Sequence, residues 1–290
     1  MKVAVFGRTI DKNSHQRLGE LLDLIVNDTS VQPVFYGPFY QYLAEHFPSL
    51  RIEGASFFSS TSDLPDDTGL FLSLGGDGTL LSSVPLVRDK KIPVAGINFG
   101  RLGFLTTSGA DKVSALLRGE FTTEKRPLLK VDTKNLPDGF YPYALNEFAV
   151  QRKGPAVLEL DLKVNGTPIP RYMADGVLVA SATGSTAYSL SAGGPVVMPG
   201  CKTLIIVPIA PHNLNIRPLV VSDTSSIEVS FSTRYKDATL SADNRSFSLP
   251  DGASATFTSS DAGIELVSAD TDFMQALSSK LYWGADWRNS

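Results

Sequence analysis

Residues 70–79 read LFLSLGGDGT, and this stretch decides the fold of the first hundred residues. The run LFLSL has the length and apolar content of a buried strand, and the glycines after it permit a tight turn. LLSSVPLV at 80–87 then has the character of a helix. Similar strand-like runs and amphipathic stretches alternate on either side: runs at 3–6, 34–36 and 92–97, amphipathic stretches at 18–26 and 40–46. This alternation predicts a parallel sheet with flanking helices.

The pattern changes after about residue 106, where many short β-type runs follow one another. Asn165-Gly166 between two such runs indicates a hairpin, and apolar residues at helical spacing after residue 273 predict a last helix. We therefore expect an α/β N-terminal domain, an all-β sandwich-like C-terminal domain and a final helix that returns to the first domain. The predicted boundaries are 1–106, 107–266 and 267–290.

Composition narrows the class of protein. The chain has 290 residues, 42% of them hydrophobic and 19% charged, with a formal net charge of −4. This balance gives no electrostatic footprint for nucleic acid, and no apolar run reaches the length of a membrane helix. MKVAVFGRTI at the N-terminus resembles a first strand more than a signal peptide. The single cysteine, Cys201, excludes an intramolecular disulfide, and we expect it to be buried. We expect a cytoplasmic protein.

The turn GGDGT at 75–79 has the chemistry of a phosphate site. Gly75, Gly76, Gly78 and Thr79 offer backbone N–H groups, and a helix beginning there adds its positive end. Asp77 places a negative charge among these donors, which suits a group that accepts a proton from an attacking hydroxyl or holds Mg²⁺. The alternative is an ordinary strand-to-helix turn in which Asp77 caps the helix. Neither a P-loop nor a Rossmann fingerprint is present in the sequence.

Two further segments suit a polar, flat ligand. Thr183–Ser191 is dense in small hydroxyl residues and includes Thr186, Ala187 and Tyr188. Asn146-Glu147 begins another strand, where an amide and a carboxylate side by side can hold paired hydroxyls or an amino group. Taken alone, the first segment also fits an ordinary Ser/Thr-rich loop, and the second fits a polar strand start.

These segments occur together in one order, and here the sequence resembles the NAD kinase family. The matching blocks are GGDGT at 75–79, N-x-G-x-L-G-F-L at 98–105, NE at 146–147, DG at 175–176, TGSTAYSLSAGGP at 183–195 and P-H-x-L-x-x-R-P at 211–218. GGDGT is shared with lipid kinases and, in similar form, with phosphofructokinases, whereas TGSTAYSLSAGGP is far more specific.

The resemblance implies an enzyme that phosphorylates the 2′-hydroxyl of the adenosine ribose of NAD, with Asp77 as general base. It implies an NAD site formed by these residues: Asp77, Gly78, Phe104, Asn146, Glu147, Asp175, Thr183, Thr186, Ala187, Tyr188, Ser191 and Ala210. Asp175 would contact the nicotinamide end and come from a neighbouring subunit of a homodimer or homotetramer. Mg²⁺ would arrive on the phosphates of ATP or another donor, with no direct metal motif in the chain.

Some questions stay open at this point. The preferred donor is ATP, another nucleoside triphosphate or polyphosphate, and acceptance of NADH is undecided. Asp243-Asn244-Arg245 replaces a DGQ-like turn of the family, so the contacts made there are not implied by the resemblance. Arg101 and Arg126 are further candidates for a phosphate or interface contact. The competing functions are a lipid or sugar kinase of the same superfamily and a non-catalytic NAD sensor.

Overall fold

The computed structural model describes residues 1–48, 55–99, 103–108, 111–268 and 273–283. The chain divides into two compact units. Unit 1 comprises Met1–Lys125 and Ile264–Ser290, and unit 2 comprises Arg126–Gly263. Residues 107–125, which the sequence grouped with the β-rich domain, fall in unit 1. The reason is visible in the helix at 111–117, whose Val113 and Leu116 belong to the core of that unit.

The strands in chain order are β1 Lys2–Gly7, β2 Gln32–Tyr36, β3 Ser56–Phe58, β4 Thr68–Leu74, β5 Pro93–Asn98, β6 Thr107–Ser108, β7 Thr123–Asp132, β8 Tyr143–Ala144, β9 Glu147–Arg152, β10 Leu158–Val164, β11 Thr167–Pro168, β12 Tyr172–Ala174, β13 Gly176–Ser181, β14 Thr203–Ile209, β15 Leu219–Ser222, β16 Ile227–Ser232, β17 Asp237–Ala242, β18 Arg245–Pro250 and β19 Ser254–Val267. The helices are α1 His15–Asn27, α2 Gly37–His46, α3 Asp77–Val87, α4 Asp111–Leu117, α5 Tyr188–Ser191 and α6 Phe273–Leu281, with 3-10 turns at Lys12–Ser14 and Thr183–Thr186.

Unit 1 contains the predicted parallel sheet. Its strand order is β3-β2-β1-β4-β5, every neighbouring pair is parallel, and β6 and the last residues of β19 also run parallel to β5. The chain moves outward from β1 to β3 and then returns to β4 on the other side of β1. Ligands of such sheets bind beyond the carboxyl ends of the strands where the order reverses. That position, between β1 and β4, is where the turn at 75–79 begins.

Helix spacing explains how the sheet is covered. Leu18, Leu21, Leu22 and Ile25 of α1 are all fully buried, and their spacing of three and four residues forms one apolar stripe. Leu277 of α6 is also buried. Helix α6 belongs to unit 1, so the last helix returns to the first domain as the sequence predicted. No helix in the described ranges combines the length and apolar character needed to cross a membrane.

Unit 2 is built from two antiparallel sheets around a single apolar core. One sheet has the order β15-β14-β13-β9-β17-β18, and the other joins β11, β10, β16 and the first half of β19. In β10, Leu158, Leu160 and Leu162 are buried, while the residues between them are exposed. This period of two is that of a strand with one buried face. Asn165 and Gly166 both have positive φ and connect β10 to β11, which confirms the predicted hairpin.

The central strands of the six-stranded sheet are buried on both faces. Every residue of β13 is buried. Its Val177 and Val179 face the core between the sheets, whereas Leu178 and Ala180 lie in a second apolar cluster on the outer face. The segment 183–195 follows β13, and its Tyr188 and Ala192, together with Val197, pack against that outer cluster. The hydroxyl-rich segment is therefore held against a rigid sheet.

Candidate functional site

The turn at 75–79 joins β4 to the N-terminus of α3. Gly75 has φ of 148°, and a Cβ there would collide with the side chain of Thr79. Its N–H donates to the carbonyl of Ile97 at 2.8 Å, which ties the turn to β5. A Cβ at Gly78 would meet nothing within 4 Å, so space beside this glycine is open. The turn therefore presents backbone at a helix N-terminus, the usual setting of a phosphate site.

Asp77 is held by the segment that follows β5. Its carboxylate accepts hydrogen bonds from the N–H of Phe104 at 2.8 Å, the N–H of Leu105 at 3.2 Å and the hydroxyl of Thr106 at 2.9 Å. A Cβ at Gly103 would collide with the Asp77 carboxylate, so glycine is required for this approach. The side chain keeps 31% of its surface exposed. Asp77 is thus fixed in orientation and still accessible.

A lysine from the last helix completes this group. Lys280 Nζ lies 3.9 Å from Asp77 Oδ2 and 3.9 Å from the ring centroid of Phe104. Phe104 also contacts Phe273 of the same helix, with ring centroids 6.1 Å apart. Burial lowers the pKa of Lys280, and the charge of Asp77 acts in the opposite direction. No local sequence signal connects Lys280 with the turn, because about two hundred positions separate them.

The second cluster lies in unit 2, at the start of β9. The Asp243 carboxylate accepts hydrogen bonds from the N–H groups of Leu145 at 2.8 Å, Asn146 at 2.8 Å and Glu147 at 3.2 Å. Asp243 lies in the turn between β17 and β18 with φ of 52°. Burial raises its pKa. Arg245, the first residue of β18, donates to the carbonyls of Tyr141 and Tyr143. Asp243-Asn244-Arg245 therefore positions Asn146-Glu147, a role that the sequence did not reveal.

Asn146 and Glu147 each present a buried oxygen that the described part of the chain leaves without a donor. The two residues are 6% and 8% exposed, and Asn146 Oδ1 and Glu147 Oε2 have no hydrogen-bond partner within the described part of the chain. Burial and then the charge of Asp243 raise the pKa of Glu147 to about 8, although the N–H of Tyr188 opposes the shift. Unpartnered buried acceptors are costly, so they indicate a site that a ligand with donor groups completes.

The 183–191 segment lies directly beside this pair. A Cβ at Gly184 would collide with the carbonyl of Asn146, so the backbones approach closely. Ser185 is fully buried, and its hydroxyl both donates to and accepts from the backbone of Val197 at 2.9 and 3.1 Å. Ser185 is therefore structural. Thr183 is buried, and its hydroxyl accepts a long hydrogen bond of 3.5 Å from the guanidinium group of Arg126.

The remaining predicted residues of the segment are accessible to different degrees. Thr186, Ala187 and Tyr188 are half-buried, whereas Ser191 is exposed. The Tyr188 hydroxyl accepts a hydrogen bond from Gln151 at 2.8 Å. Burial raises the pKa of Tyr188, and the charges of Glu147 and Asp175 act in the same direction.

Asp175 and Ala210 lie at the opposite end of β13 from Asn146. Asp175 forms a two-point ion pair with Arg152, with distances of 2.7 and 2.9 Å. Ala210 is exposed and adopts φ of 46°, a conformation that is rare for alanine. The structure thus groups Asn146, Glu147 and the 183–188 residues closely. Asp175 and Ala210 lie at the other end of β13, where the charge of Asp175 still acts on Tyr188.

Other expectations have mixed outcomes. Cys201, expected to be buried, is exposed, because it lies just outside β14 where the chain has left the core. Arg101 and part of the 98–105 block lie outside the described residues. Among the described residues, no group of three or more His, Cys, Asp or Glu side chains is placed to hold a metal ion.

Comparisons of this chain with known proteins all point to one protein family. Residues 59–124 match the ATP-NAD kinase N-terminal domain and residues 145–268 match the ATP-NAD kinase C-terminal domain. NAD kinase of Christiangramia forsetii is 35% identical over 297 residues, and NAD kinase of Flavobacterium psychrophilum is 34% identical over 303 residues. Each alignment covers 100% of both chains.

Solved structures of two kinases are similar to this chain. Yeast NADH kinase, solved with NADH, has the same fold with a TM-score of 0.86 at 24% identity, covering 100% of this chain and 90% of that one. An NAD kinase from Archaeoglobus fulgidus, solved with ATP, has a TM-score of 0.71 at 28% identity, covering 97% and 99%.

Proposed function

The chain belongs to the NAD kinase family, and on that premise we propose that it transfers the γ-phosphoryl group of ATP to the 2′-hydroxyl of the adenosine ribose of NAD. The proposal assigns NAD recognition mainly to unit 2 and assigns phosphate binding and proton transfer to unit 1. Asp77 is the general base.

The observation that carries NAD recognition is a pair of buried oxygens, Asn146 Oδ1 and Glu147 Oε2, for which no residue that the structure describes supplies a donor. Adenosine offers matching donors, namely ribose hydroxyls and the adenine amino group. Thr183, Thr186 and Ala187 would border the adenine and ribose, since Gly184 brings this segment against the carbonyl of Asn146. A ligand that supplies these hydrogen bonds removes the cost of leaving the acceptors buried and unpaired.

The turn formed by Gly75, Gly76, Gly78 and Thr79 would hold the donor phosphates at the positive end of α3. The N–H groups of Gly75 and Thr79 donate to the carbonyls of Ile97 and Gly76, so these two residues shape the turn. Asp77 is the carboxylate within this turn, and its oxygens are engaged by the segment after β5. Mg²⁺ would arrive on the donor phosphates, as the resemblance to the family implies. When bound, the ion neutralises phosphate charge.

The proposed reaction is a direct transfer of the phosphoryl group from ATP to the ribose. The ribose 2′-oxygen attacks the γ-phosphorus as Asp77 accepts the hydroxyl proton. The bond between the γ-phosphorus and the bridging oxygen breaks, and ADP leaves. Orientation of Asp77 by Phe104, Leu105 and Thr106 fixes the carboxylate before substrate arrives, which lowers the entropic part of the barrier.

The direct test measures NADP formation with NAD, ATP and Mg²⁺ in wild type and Asp77→Asn. We expect the variant to lose most or all turnover, by about 10²-fold or more, with an unchanged Kd for NAD. Asp89→Asn is the matched control, because Asp89 is an exposed carboxylate after α3 and lies outside the proposed site. Near-normal turnover by Asp77→Asn contradicts the base role.

The same assay extends to substrate choice. Replacing ATP by other nucleoside triphosphates or polyphosphate ranks the donors, and NADH replaces NAD to test the acceptor. Phosphorylation of diacylglycerol without phosphorylation of NAD contradicts the proposal. We also propose a homo-oligomer in which Asp175 of a neighbouring subunit contacts the nicotinamide end. Light scattering measures the mass of the purified protein in solution. A mass equal to that of one chain contradicts the proposed homo-oligomer.

A further inference from the structure

We propose that Lys280 is a catalytic residue of this kinase, whose ammonium group binds the phosphoryl group during its transfer. The inference rests on the proposed function, because it places the ammonium group of Lys280 beside Asp77, the general base of the proposed reaction. It adds a residue of the last helix to the chemistry of the turn at 75–79.

The first argument is distance. Lys280 Nζ lies 3.9 Å from Asp77 Oδ2. A hydroxyl that gives its proton to Asp77 lies about 3 Å from that carboxylate, and the phosphorus it attacks lies about 3–3.5 Å beyond. An ammonium already within 4 Å of the carboxylate reaches the phosphoryl oxygens through rotation of its own flexible side chain.

The second argument is the way the ammonium is held. The nearest Asp77 oxygen, Oδ2, lies 3.9 Å from Lys280 Nζ, which is beyond hydrogen-bond distance. The centroid of the Phe104 ring also lies 3.9 Å from Nζ. The ring attracts the cation without taking a hydrogen bond from it in the way that an oxygen does. Lys280 donates no hydrogen bond to any residue in the described ranges, so its three N–H donors stay available to an anion.

The third argument is helix geometry. Phe273, Leu277 and Lys280 follow one another at spacings of four and three residues, so they share one face of α6. Leu277 is buried and Phe273 packs on Phe104. Lys280 thus occupies an apolar face, where its side chain is only 18% exposed. A charge in that position is unfavourable for folding unless it is paired, and a leucine or methionine there has no such cost.

The chemistry follows from the charge change during transfer. Negative charge spreads over the equatorial oxygens of the phosphoryl group as the bond to ADP breaks. Lys280 offsets that charge from the side of Asp77, and it carries the same proton before and after the step. Its contribution is electrostatic stabilisation of the transition state, and Asp77 alone takes the proton.

The test compares Lys280→Met, which keeps the apolar stem, with Gln275→Ala on the exposed face of the same helix. We expect Lys280→Met to lower kcat by about 10²-fold, the size of effect typical of a lost transition-state donor. Kd for NAD and the melting temperature stay near wild type. Gln275→Ala retains wild-type kcat. Lys280→Ala should regain part of its activity when ethylamine is added, since a free amine can replace the lost cation.

Two results overturn the inference. In one, Lys280→Met retains wild-type kcat while Asp77→Asn is inactive. In the other, the loss in Lys280→Met follows a fall in melting temperature and ethylamine restores nothing in Lys280→Ala, so the ion pair only anchors α6. Failure of the proposed function looks different, because the wild-type protein then forms no NADP.

Discussion

Asp243 and Glu147 exchange two hydrogen bonds at the start of β9. The N–H of Glu147 donates to Asp243 Oδ1 at 3.2 Å, and the N–H of Asp243 donates to the carbonyl of Glu147 at 3.0 Å. Leu145 and Asn146 donate to the same carboxylate. The residue that positions the start of the proposed adenosine site therefore belongs to the β17–β18 hairpin, far along the chain from the Asn146-Glu147 motif.

Asp243→Ala should lower the free energy of unfolding by more than about 3 kcal/mol, because three buried N–H groups lose their acceptor at about 1–3 kcal/mol each. Urea unfolding measures the change. Asp251→Ala is the control: Asp251 also accepts a backbone hydrogen bond, from Thr233 at 2.8 Å, but it is exposed. We expect the control to lose under about 1 kcal/mol. Equal losses in both variants contradict the role of Asp243.

Sequence reasoning succeeded where the signal is local. The alternation of runs predicted the parallel sheet of unit 1, and Asn165-Gly166 predicted the β10–β11 hairpin of unit 2, because both signals depend on neighbouring residues. It also named Asn146-Glu147 and the 183–188 segment as candidate site residues. The structure brings them together, and their role in binding stays a prediction. That choice depended on the specific residues of the motifs, because hydroxyl-rich loops by themselves are common in proteins.

Long-range contacts escaped the same reasoning. Asp243 lies 98 positions from Leu145, and nothing in the turn Asp243-Asn244-Arg245 indicates which N–H groups its carboxylate accepts. Lys280 looks like an ordinary helix lysine until α6 is placed beside Phe104. The exposure of Cys201 depends on where β14 begins, and strand ends are poorly marked by composition.

The raised pKa of Glu147 makes stability depend on pH. Its pKa is about 8 in the folded protein and near 4.5 ordinarily, so between these values the folded state holds a proton that the unfolded state lacks. The stabilisation is complete below about 4.5, declines as the pH rises through this window and is gone above about 8. Urea unfolding of ligand-free wild type and Glu147→Gln at pH 6, 7.5 and 9 measures it. We expect wild type to lose stability relative to Glu147→Gln as the pH rises. A constant difference between them contradicts the shift.

Gly184→Ala should abolish NAD binding, because the added methyl collides with the carbonyl of Asn146, which is backbone and cannot rotate away. The 183–188 segment then moves off the start of β9. Gly19→Ala is the control: Gly19 is inside α1, its nearest contact from a Cβ is Phe47 at 3.7 Å, and alanine there should stabilise by about 0.5–1 kcal/mol. Calorimetric titration with NAD measures binding. Wild-type affinity in Gly184→Ala contradicts the close packing.

Thr106→Val tests whether orientation of Asp77 matters to the rate. Valine keeps the shape of the buried side chain and removes the 2.9 Å hydrogen bond to Asp77. A lost hydrogen bond to a charged group is worth about 1.5 kcal/mol, so we expect kcat to fall about tenfold with Kd for NAD unchanged. Thr68→Val is the matched control for Thr106→Val, because the Thr68 hydroxyl is also buried and donates a hydrogen bond of 2.7 Å to the carbonyl of Pro65. It should lower stability and leave kcat unchanged. Thr106→Ser, which retains the hydroxyl, should recover kcat, and equal activity of the serine and valine variants rules out orientation by this hydrogen bond.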